Sequence, residues 1–463
     1  MHSSLSRRTF LRTALGAGAA LATRSTAAPA VPTVTWLTPA DKGYAAARQT
    51  YNSTLKAQPA IIARCLKEDG VIQAIARAAA ENKSIAVKSG GHSFEGFCIN
   101  EGGLVVEVSG MNGIHLDSKT GIVTAGPGCK LGQMNQALLA KGRLLPSGSC
   151  AGVGLSGLVL GGGYGIFARQ FGLTCDHLLG LRLVDGEGNV RDSRDEPELL
   201  WACRGGGNGH FGIVTELRLQ THQAPKTLYA FKFKAAKLDA ARATALLKAY
   251  FEASAALTDN AFAAFVLNGN FLSILLTTTG SLENKGLAAF RKEMTGLGMK
   301  PTVSKPVPLA TALPRYYGEP GPIAFKNASG GYYSKFEDIA PALPGILHEL
   351  FTIPGLIFQV NTLGGAIARG PDCAYPHRSY PWLGEWQAYW QKDSQREKLT
   401  AAAGRIREHL AAAGITRHYA NYPDLAFKGW EQSYYDTGYA RLQALKKKLD
   451  PAKRIRHAQS VSA

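Results

Sequence analysis

Three short stretches of the chain carry residue types that can bind or react with a ligand. Residues 89–93 form a polar Ser-Gly-Gly-His-Ser turn, whose successive backbone N–H groups can make an anion-binding nest. Residues 150–165 begin with Cys150 and contain seven glycines, and residues 419–422 place two tyrosines around an asparagine. Because glycine is costly in regular helices and strands, the glycine run indicates that the backbone closely approaches a large, flat ligand.

The glycine run contains the spacing of a dinucleotide-binding fingerprint, at Gly152, Gly154 and Gly157. That fingerprint requires a hydrophobic strand directly before it and a helix directly after it. Here Leu144-Leu145-Pro146-Ser147-Gly148 precedes the motif and more glycine follows it. We therefore reject a Rossmann site, and we note a further glycine-rich loop at residues 204–209.

The periodicity of apolar residues predicts an α+β fold. Up to about residue 225, a helix at 70–82 is followed by short strands at 85–87, 104–108, 121–125, 181–184 and 213–219. Later residues alternate over longer runs, such as 229–233 and 271–276. Between them lie predicted helices at 236–256, 282–297 and 384–413, a pattern typical of an antiparallel sheet covered by helices on one face.

The N-terminal residues predict export. Arg7 and Arg8 precede Phe10-Leu11, a weakly apolar stretch and the small-residue site Ala28-Pro29-Ala30. This pattern is typical of a signal for the twin-arginine translocase, with cleavage after Ala30 and a periplasmic or secreted product. Since that route carries folded proteins, commonly with their cofactors already loaded, it also favours a bound prosthetic group.

The charge of the chain is strongly basic, at +18, and removal of residues 1–30 with their four arginines leaves +14. A basic chain can attract nucleic acid, anionic surfaces or acidic substrates. The dense cluster of Lys446, Lys447 and Lys448 with Lys453, Arg454 and Arg456 lies on a C-terminal amphipathic segment and is interpreted as a solvated helix face. We expect no nucleic-acid partner.

The cysteines and the apolar runs exclude other classes. Seven cysteines are widely spaced without a Cys-x-x-Cys pair, so they indicate neither a zinc site nor a dense disulfide framework, and a single disulfide stays possible. No apolar run reaches the roughly 20 residues of a membrane span. We therefore expect no metal and no membrane-spanning segment.

Taken in order, five motifs resemble those of the berberine-bridge-enzyme-like FAD-linked oxidases, which belong to the vanillyl-alcohol-oxidase type of flavoprotein. The resemblance extends from about residue 40 to the Gln-Ser-Val at 459–461. Its motifs are Ser-Gly-Gly-His-Ser at 89–93, Cys-x-x-Val-Gly at 150–154, Gly-Gly-Gly-Tyr-Gly at 161–165, Arg-Gly-Gly-Gly-Asn-Gly at 204–209 and Tyr-Ala-Asn-Tyr at 419–422.

The resemblance implies a two-part FAD-binding domain of the PCMH type with an inserted substrate domain. It predicts a signal peptide at 1–30, an FAD-binding domain at 31–225, a substrate domain at 226–412 and a returning C-terminal segment at 413–463. The flavin contacts that it implies are Ser89, Gly90, Gly91, His92, Ser93, Cys150, Val153, Gly154, Gly157, Gly161, Gly162, Gly163, Tyr164, Gly165, Gly212, Ile213, Val214 and Asn421.

The resemblance further implies two covalent bonds to the flavin, from His92 to the 8α-methyl group and from Cys150 to C6. The oxidised ring is electron-poor, so a neutral imidazole and a thiolate are the residue types that can add to it. Two positions depart from the usual pattern. Ala151 replaces a proline after the cysteine, and Lys88 replaces an arginine and so loses bidentate geometry.

The same resemblance suggests the catalytic residues. Tyr422 is the predicted base for a substrate hydroxyl, Tyr419 is predicted to share its proton and lower its pKa, and Asn421 to hydrogen-bond the flavin. Some relatives use a strand glutamate as base, but the sequence matches no glutamate to that role. The segments 332–335, 359–361 and 375–378 are candidates for the substrate pocket.

These expectations favour an FAD-dependent oxidoreductase that oxidises a hydroxyl group of a sugar, an oligosaccharide or another alcohol. The electron acceptor is O2 or another molecule. One alternative is oxidative tailoring, by cyclisation or dehydrogenation, of an aromatic natural product. Another is a non-catalytic protein that binds flavin or a glycan.

Overall fold

A computed structural model describes residues 32–462 of the chain. The predicted signal peptide at 1–30 lies outside the described residues, and from Thr33 onward the chain forms one unit. The fold mixes helices with a four-stranded, a five-stranded, a two-stranded and an eight-stranded sheet, which confirms the predicted α+β class.

The first two sheets are built from the N-terminal part of the chain. The four-stranded sheet has the order β1-β2-β4-β3, with β2, β4 and β3 parallel and β1 antiparallel at one edge. The five-stranded sheet, β5-β6-β10-β8-β9, is antiparallel throughout. Their strands are β1 (Val34–Leu37), β2 (Ile61–Cys65), β3 (Ile85–Lys88), β4 (Leu104–Glu107), β5 (Ile114–Leu116), β6 (Ile122–Ala125), β8 (Leu178–Asp185), β9 (Val190–Asp192) and β10 (Gly212–Gln220).

The eight-stranded sheet contains all strands from β12 onward. Its order is β15-β12-β14-β13-β18-β19-β17, with β16 paired to β12, and every pairing is antiparallel. The strands are β12 (Thr227–Ala235), β13 (Ala261–Asn268), β14 (Phe271–Thr278), β15 (Pro301–Val303), β16 (Val307–Pro308), β17 (Phe325–Tyr333), β18 (Leu356–Thr362) and β19 (Trp382–Tyr389). The two-stranded sheet pairs β7 (Arg143–Leu144) with β11 (His222–Gln223).

Helices cover one face of the eight-stranded sheet. Buried residues of α7, α8, α11 and α12 pack in one core with alternate strand residues such as Phe233, Phe265 and Trp386. The helices are α1 (Tyr44–Arg48), α2 (Glu68–Ala80), α3 (Leu131–Leu139), α4 (Leu155–Leu160), α5 (Ala168–Phe171), α6 (Pro197–Cys203), α7 (Ala240–Ala255), α8 (Lys285–Gly296), α9 (Leu309–Ala312), α10 (Phe336–Ile339), α11 (Leu343–Thr352), α12 (Arg396–Ala412), α13 (Trp430–Tyr435) and α14 (Tyr439–Leu449).

One predicted helix is wrong. The sequence predicts a single helix over residues 384–413, but the structure places β19 at Trp382–Tyr389 and begins α12 only at Arg396. The reason is visible in the alternation of β19. Trp382, Trp386 and Ala388 enter the core, whereas Glu385 and Gln387 face the opposite side, which is the period of a strand.

The C-terminal segment returns to the N-terminal sheet. Ile85 of β3 donates its N–H to Arg454 O (2.7 Å), and Arg456 donates its N–H to Ile85 O (3.1 Å). The residues after α14 therefore extend the edge of the first sheet. The predicted domain boundaries at 225/226 and 412/413 stay predictions.

Two further features bear on the sequence expectations. Lys446 is 1% exposed and donates to Asp450, to His210 O and to Ile455 O, so it is no part of a solvated face, while Lys447 and Lys448 are exposed. Among residues 32–462, no helix is both long and apolar enough to span a membrane.

Candidate active site

The turn after β3 packs directly against the glycine run. A Cβ built on Gly90 would lie 2.3 Å from Gly154 N, and one on Gly154 would lie 2.3 Å from Ser89 Oγ. Neither position therefore has room for a side chain. Gly91 also has a φ of +71°, which favours glycine. The two motifs thus form one continuous wall.

His92 sits on this wall in a defined orientation. Its ring stacks on Tyr51 with centroids 4.0 Å apart, and a Cβ on Gly152 would lie 2.8 Å from its Nε2. Burial, with a smaller effect of the Lys130 charge, lowers the pKa of His92 to about 4. The imidazole is therefore neutral near pH 7, which is the form that can act as a nucleophile.

Cys150 lines the same cavity. The backbone next to it is held by a hydrogen bond from Ala151 N–H to Tyr317 O (3.2 Å). Burial raises the pKa of the Cys150 thiol, and the negative charge of Glu385 raises it further. The thiol is therefore predominantly protonated near pH 7.

Most of the predicted cofactor residues line this cavity, but four do not: Gly161, Gly162, Gly163 and Ile213. A Cβ on Gly161 would meet Asn421 Oδ1 at 2.1 Å, and the other two glycines pack on Tyr419 and Thr174. Ile213 is fully buried in β10. These four residues lie behind the cavity wall and support it.

The Tyr-Ala-Asn-Tyr motif at 419–422 is held against the glycine run by hydrogen bonds of Asn421 and Tyr419. Asn421 Nδ2 donates to Leu158 O (3.1 Å) and to Tyr419 Oη (3.0 Å), and its Oδ1 accepts from Asn208 Nδ2 (2.8 Å). Tyr419 Oη also accepts from Gly163 N–H (2.7 Å). The structure thus gives Tyr419 a positioning role, because its hydroxyl is hydrogen-bonded here and not to Tyr422.

Tyr422 instead pairs with Tyr164. Their hydroxyl oxygens are 2.8 Å apart, and Asn361 Nδ2 donates to Tyr164 Oη at 3.1 Å. Burial, then the charge of Glu385, raises the pKa of Tyr422 well above its usual value. The expectation that a neighbouring tyrosine lowers this pKa is therefore wrong, since both Tyr164 and Tyr419 raise the pKa of Tyr422 further.

Glu385 is the functional residue that the sequence did not reveal. It lies on β19, it is 5% exposed and it faces the cavity. Burial raises its pKa to about 8, although Gln387 and Tyr422 lie close enough to lower it in part. The alternation of Glu385 and Gln387 with Trp386 and Ala388 in a strand was the available signal, and the mistaken helix at 384–413 concealed it.

Only one of the three segments predicted to line the substrate pocket reaches the cavity. Gln359 and Asn361 line the cavity, whereas no residue of segments 332–335 and 375–378 does. Tyr332 and Tyr375 are buried behind it, with their Oη atoms 2.9 Å apart. Lys88 is also turned away, because its Nζ donates to Ala47 O (2.5 Å) and Gln49 O (2.6 Å). Lys88 therefore supports the fold under the turn and not the cavity surface.

The cavity is large enough for a small-molecule ligand, and its lining suits FAD. Its volume is about 500 Å³, within the range of small-molecule sites. A Cβ on Gly157 or Gly209, two of its lining residues, would meet no atom within 4 Å, so these glycines leave open space at the wall. The backbone of the 89–93 turn and the neutral His92 suit a diphosphate and an electron-poor ring, respectively.

Comparisons with known proteins agree with this site. The family profile "FAD binding domain" matches residues 59–194, and "Berberine and berberine like" matches residues 418–462. The uncharacterized FAD-linked oxidoreductase YvdP of Bacillus subtilis is 29% identical over 444 residues, covering 91% of this chain and 96% of the relative. The chitooligosaccharide oxidase of Gibberella zeae is 28% identical and covers 89% of each chain.

The fold agrees as well. The solved structure of Physcomitrella patens BBE-like 1 superposes with a TM-score of 0.84 at 24% identity and covers 92% of this chain and 96% of that one. The two profile matches lie at the two ends of one site, on the glycine-rich wall and on the returning C-terminal segment. The chain is therefore an oxidoreductase with an FAD-binding domain and a berberine-like C-terminal segment, and along most of its length it is similar to berberine-bridge-enzyme-like FAD-linked oxidases.

Proposed function

We propose that the protein oxidises a hydroxyl-bearing carbon of a sugar, an oligosaccharide or another alcohol. The observation that carries this proposal is the polar group formed by Glu385, Tyr422 and Tyr164 at the cavity wall, where the glycine-rich wall faces the eight-stranded sheet. An alcohol can be oxidised only if its hydroxyl proton is removed as the hydride leaves carbon.

Bound FAD supplies the hydride acceptor, and O2 or another molecule would reoxidise it. His92 and Cys150 are the residues that would hold the cofactor covalently. The neutral imidazole favours attachment at His92. For Cys150 the thiol must first lose its proton, and its position on the same wall supports the proposal that it makes a second bond.

Glu385 and Tyr422 together provide the proton route. A free Tyr422 phenolate next to an ionised Glu385 is unfavourable, because both pKa values are raised by burial and the carboxylate further raises that of the phenol. A proton passing from the substrate to Tyr422 Oη while the phenol proton moves to Glu385 avoids two buried charges. Tyr422 therefore contacts the hydroxyl and Glu385 is the final acceptor.

The lining of the cavity on the sheet side supports a hydroxyl-rich substrate. Asn327, Gln359, Asn361 and Gln387 present amides from β17, β18 and β19, and each amide can both donate and accept hydrogen bonds. Amides of this kind can hydrogen-bond to the successive hydroxyl groups of a sugar or polyol. The similarity to a chitooligosaccharide oxidase points in the same direction.

Oxidative tailoring of an aromatic compound is the second candidate. Apolar side chains reach the cavity surface in two places, Phe262 and Leu275 from β13 and β14, and Ile323 and Phe325 next to the start of β17. Either place can contact an aromatic ring. A hydroxyl on an aromatic compound would still use the same proton route.

One experiment tests the function and separates the two candidates. The holoprotein is mixed anaerobically with a panel of oligosaccharides, simple polyols and phenolic or heteroaromatic alcohols, and loss of the yellow flavin absorbance is followed. We expect bleaching by an oligosaccharide and a lactone as product. Bleaching only by aromatic compounds supports the second candidate, and no bleaching by any hydroxyl compound contradicts the proposal.

A further inference from the structure

Behind the tyrosines of the site, two cysteines from distant parts of the chain lie side by side. Cys175 belongs to the 3-10 turn Thr174–His177, and Cys373 lies in the loop before β19. Their sulfur atoms lie within 4.8 Å of each other and of a carboxylate oxygen of Asp176. Both cysteines are buried, with Cys175 0% and Cys373 8% exposed.

Arg378 distinguishes the two sulfur atoms. Its Nη2 donates to Cys373 Sγ at 3.0 Å and to Asp176 Oδ1 at 2.6 Å, and its Nη1 donates to Ile367 O at 3.1 Å. A guanidinium in this position stabilises a thiolate at Cys373. Cys175 contacts Asp176 at 3.7 Å, and there the negative charge favours a thiol.

The pKa values agree with this geometry. A hydrogen bond from Cys175, followed by the charge and hydrogen bond of Arg378 and by the Tyr375 backbone, lowers the pKa of Cys373 to about 6. Burial raises the pKa of Cys175 well above its usual value, and Asp176 raises it further. One partner is therefore an anionic nucleophile, and the other retains its proton.

A metal site is the competing interpretation of two cysteines and an aspartate. The guanidinium of Arg378 already supplies the positive charge between Asp176 and Cys373, and it directly contacts an atom of each. A divalent cation would be repelled by that charge. The cluster is therefore better suited to thiol chemistry.

We propose that Cys175 and Cys373 are a peroxide-reactive dithiol that closes to a disulfide. The Cys373 thiolate attacks one oxygen of hydrogen peroxide, the O–O bond breaks, and the released hydroxide takes a proton to become water. The resulting sulfenic acid is attacked by Cys175, which gives its proton to the departing hydroxide. In total, two thiols and one peroxide give one disulfide and two waters.

The position of the pair connects it to the active site. Cys175 N–H donates to Gly162 O at 2.9 Å, and Thr174 Oγ1 donates to Gly163 O at 3.0 Å. The N–H of Gly163 in turn holds Tyr419. A disulfide would therefore join the glycine run to the loop that leads into β19, the strand of Glu385. Hydrogen peroxide is the reduced product of an O2-linked oxidase, but peroxide from any source would serve.

The test uses the reduced holoprotein and added hydrogen peroxide at pH 7, so it does not depend on the substrate or on the proposed function. We expect the mass of two hydrogen atoms to be lost and a peptide linking Cys175 to Cys373 to appear after digestion. Cys203→Ser is the matched control, because Cys203 is a buried cysteine whose pKa is raised to about 12, and this variant should form the same disulfide.

Single variants separate the two steps. In Cys175→Ser the sulfenic acid should persist at Cys373 and react with dimedone, whereas in Cys373→Ser the remaining Cys175 should stay reduced. Arg378→Gln should slow oxidation about 10- to 100-fold at pH 7, and Arg378→Lys should restore part of the rate, because thiolate formation depends on the cation.

If a variant fails to fold, experiments on the wild-type protein alone still test the proposal. Alkylation of Cys373 in the folded protein should rise with pH around a midpoint near 6. The proposal is overturned if both peptides stay reduced in excess peroxide, if they link only after denaturation, or if added zinc binds stoichiometrically and protects both cysteines.

Discussion

At the scale of single residues, one buried carboxyl group affects the ionisation of several neighbours in the active site. Burial is the largest influence on the pKa of Glu385, and within the described residues no cationic side chain offsets it. The same carboxylate raises the pKa of Tyr422 and of Cys150. One proton on Glu385 therefore affects the ionisation of Tyr422 and of Cys150 together.

The first prediction concerns pH. Because Glu385 must be deprotonated to accept the proton, kcat/KM should rise with pH and level off above about 8, the pKa to which burial raises this group. Glu385→Gln should lose this dependence and reduce flavin about 100- to 10,000-fold more slowly. If the pH profile of kcat/KM keeps the same midpoint in Glu385→Gln, the titration belongs to another group.

The second prediction concerns Tyr422. Tyr422→Phe removes the phenol that contacts Tyr164 and should slow flavin reduction about 100- to 10,000-fold at saturating substrate, with cofactor content unchanged. Tyr419→Phe is the comparison variant. Its hydroxyl holds Gly163 and Asn421, so it should mainly lower stability. A slower reduction in Tyr419→Phe than in Tyr422→Phe would reverse these roles.

The third prediction is covalent flavin. Acid-precipitated wild-type protein should remain yellow, since His92 is neutral and fixed against Tyr51 on the cavity wall. His92→Ala should retain colour through Cys150 alone, and the variant lacking both groups should release its flavin. If the colour of wild type washes fully into the supernatant, neither residue makes a bond.

At the scale of elements, much of the fold could be predicted from periodicity, as α2 and β3 illustrate. The predicted spans 70–82 and 85–87 correspond to Glu68–Ala80 and Ile85–Lys88. The strand β19 could not be predicted in the same way. Its two tryptophans and its alanine face the core while polar residues face a cavity, and only the tertiary structure reveals that the second face is enclosed.

In the glycine run, the motif predicted close backbone contacts but not their partners. The sequence indicated correctly that the backbone makes close approaches, yet it could not tell which partner each glycine approaches. Gly157 borders open cavity, whereas Gly161 makes room for Asn421 from the C-terminal segment. Contacts between segments more than 200 residues apart leave no local signature.

The fourth prediction belongs to α14 and the segment that follows it. Lys446 is buried and neutralises Asp450, which is 0% exposed, while also holding Ile455 O. Lys446→Met leaves the carboxylate without its cation and should lower the free energy of unfolding by about 3–5 kcal/mol. Lys447→Met, on the exposed side, should change it by less than about 0.5 kcal/mol. Chemical denaturation measures both, and equal effects would contradict the buried role.

At the scale of the whole molecule, the cavity requires nearly the entire described chain. The turn at 89–93, the glycine run, strands β17 to β19 and the Tyr-Ala-Asn-Tyr segment all contribute to its wall. Ile85, which precedes the first of these segments in the chain, exchanges backbone hydrogen bonds with Arg454 and Arg456, which follow the last of them. The complete site therefore forms only when both ends of the fold have come together, and we expect FAD to be loaded into an essentially folded chain.

This dependence leads to the fifth prediction, on export. If cofactor loading needs the complete fold, and FAD is supplied in the cytoplasm, the chain must cross the membrane folded, which is the route that Arg7 and Arg8 indicate. Replacing both by lysine should leave yellow holoprotein in the cytoplasm, whereas Arg12→Lys should not. Fractionation followed by flavin absorbance measures this. If the double variant reaches the periplasm in unchanged yield, another route is used, and FAD must then be able to enter the site after transport.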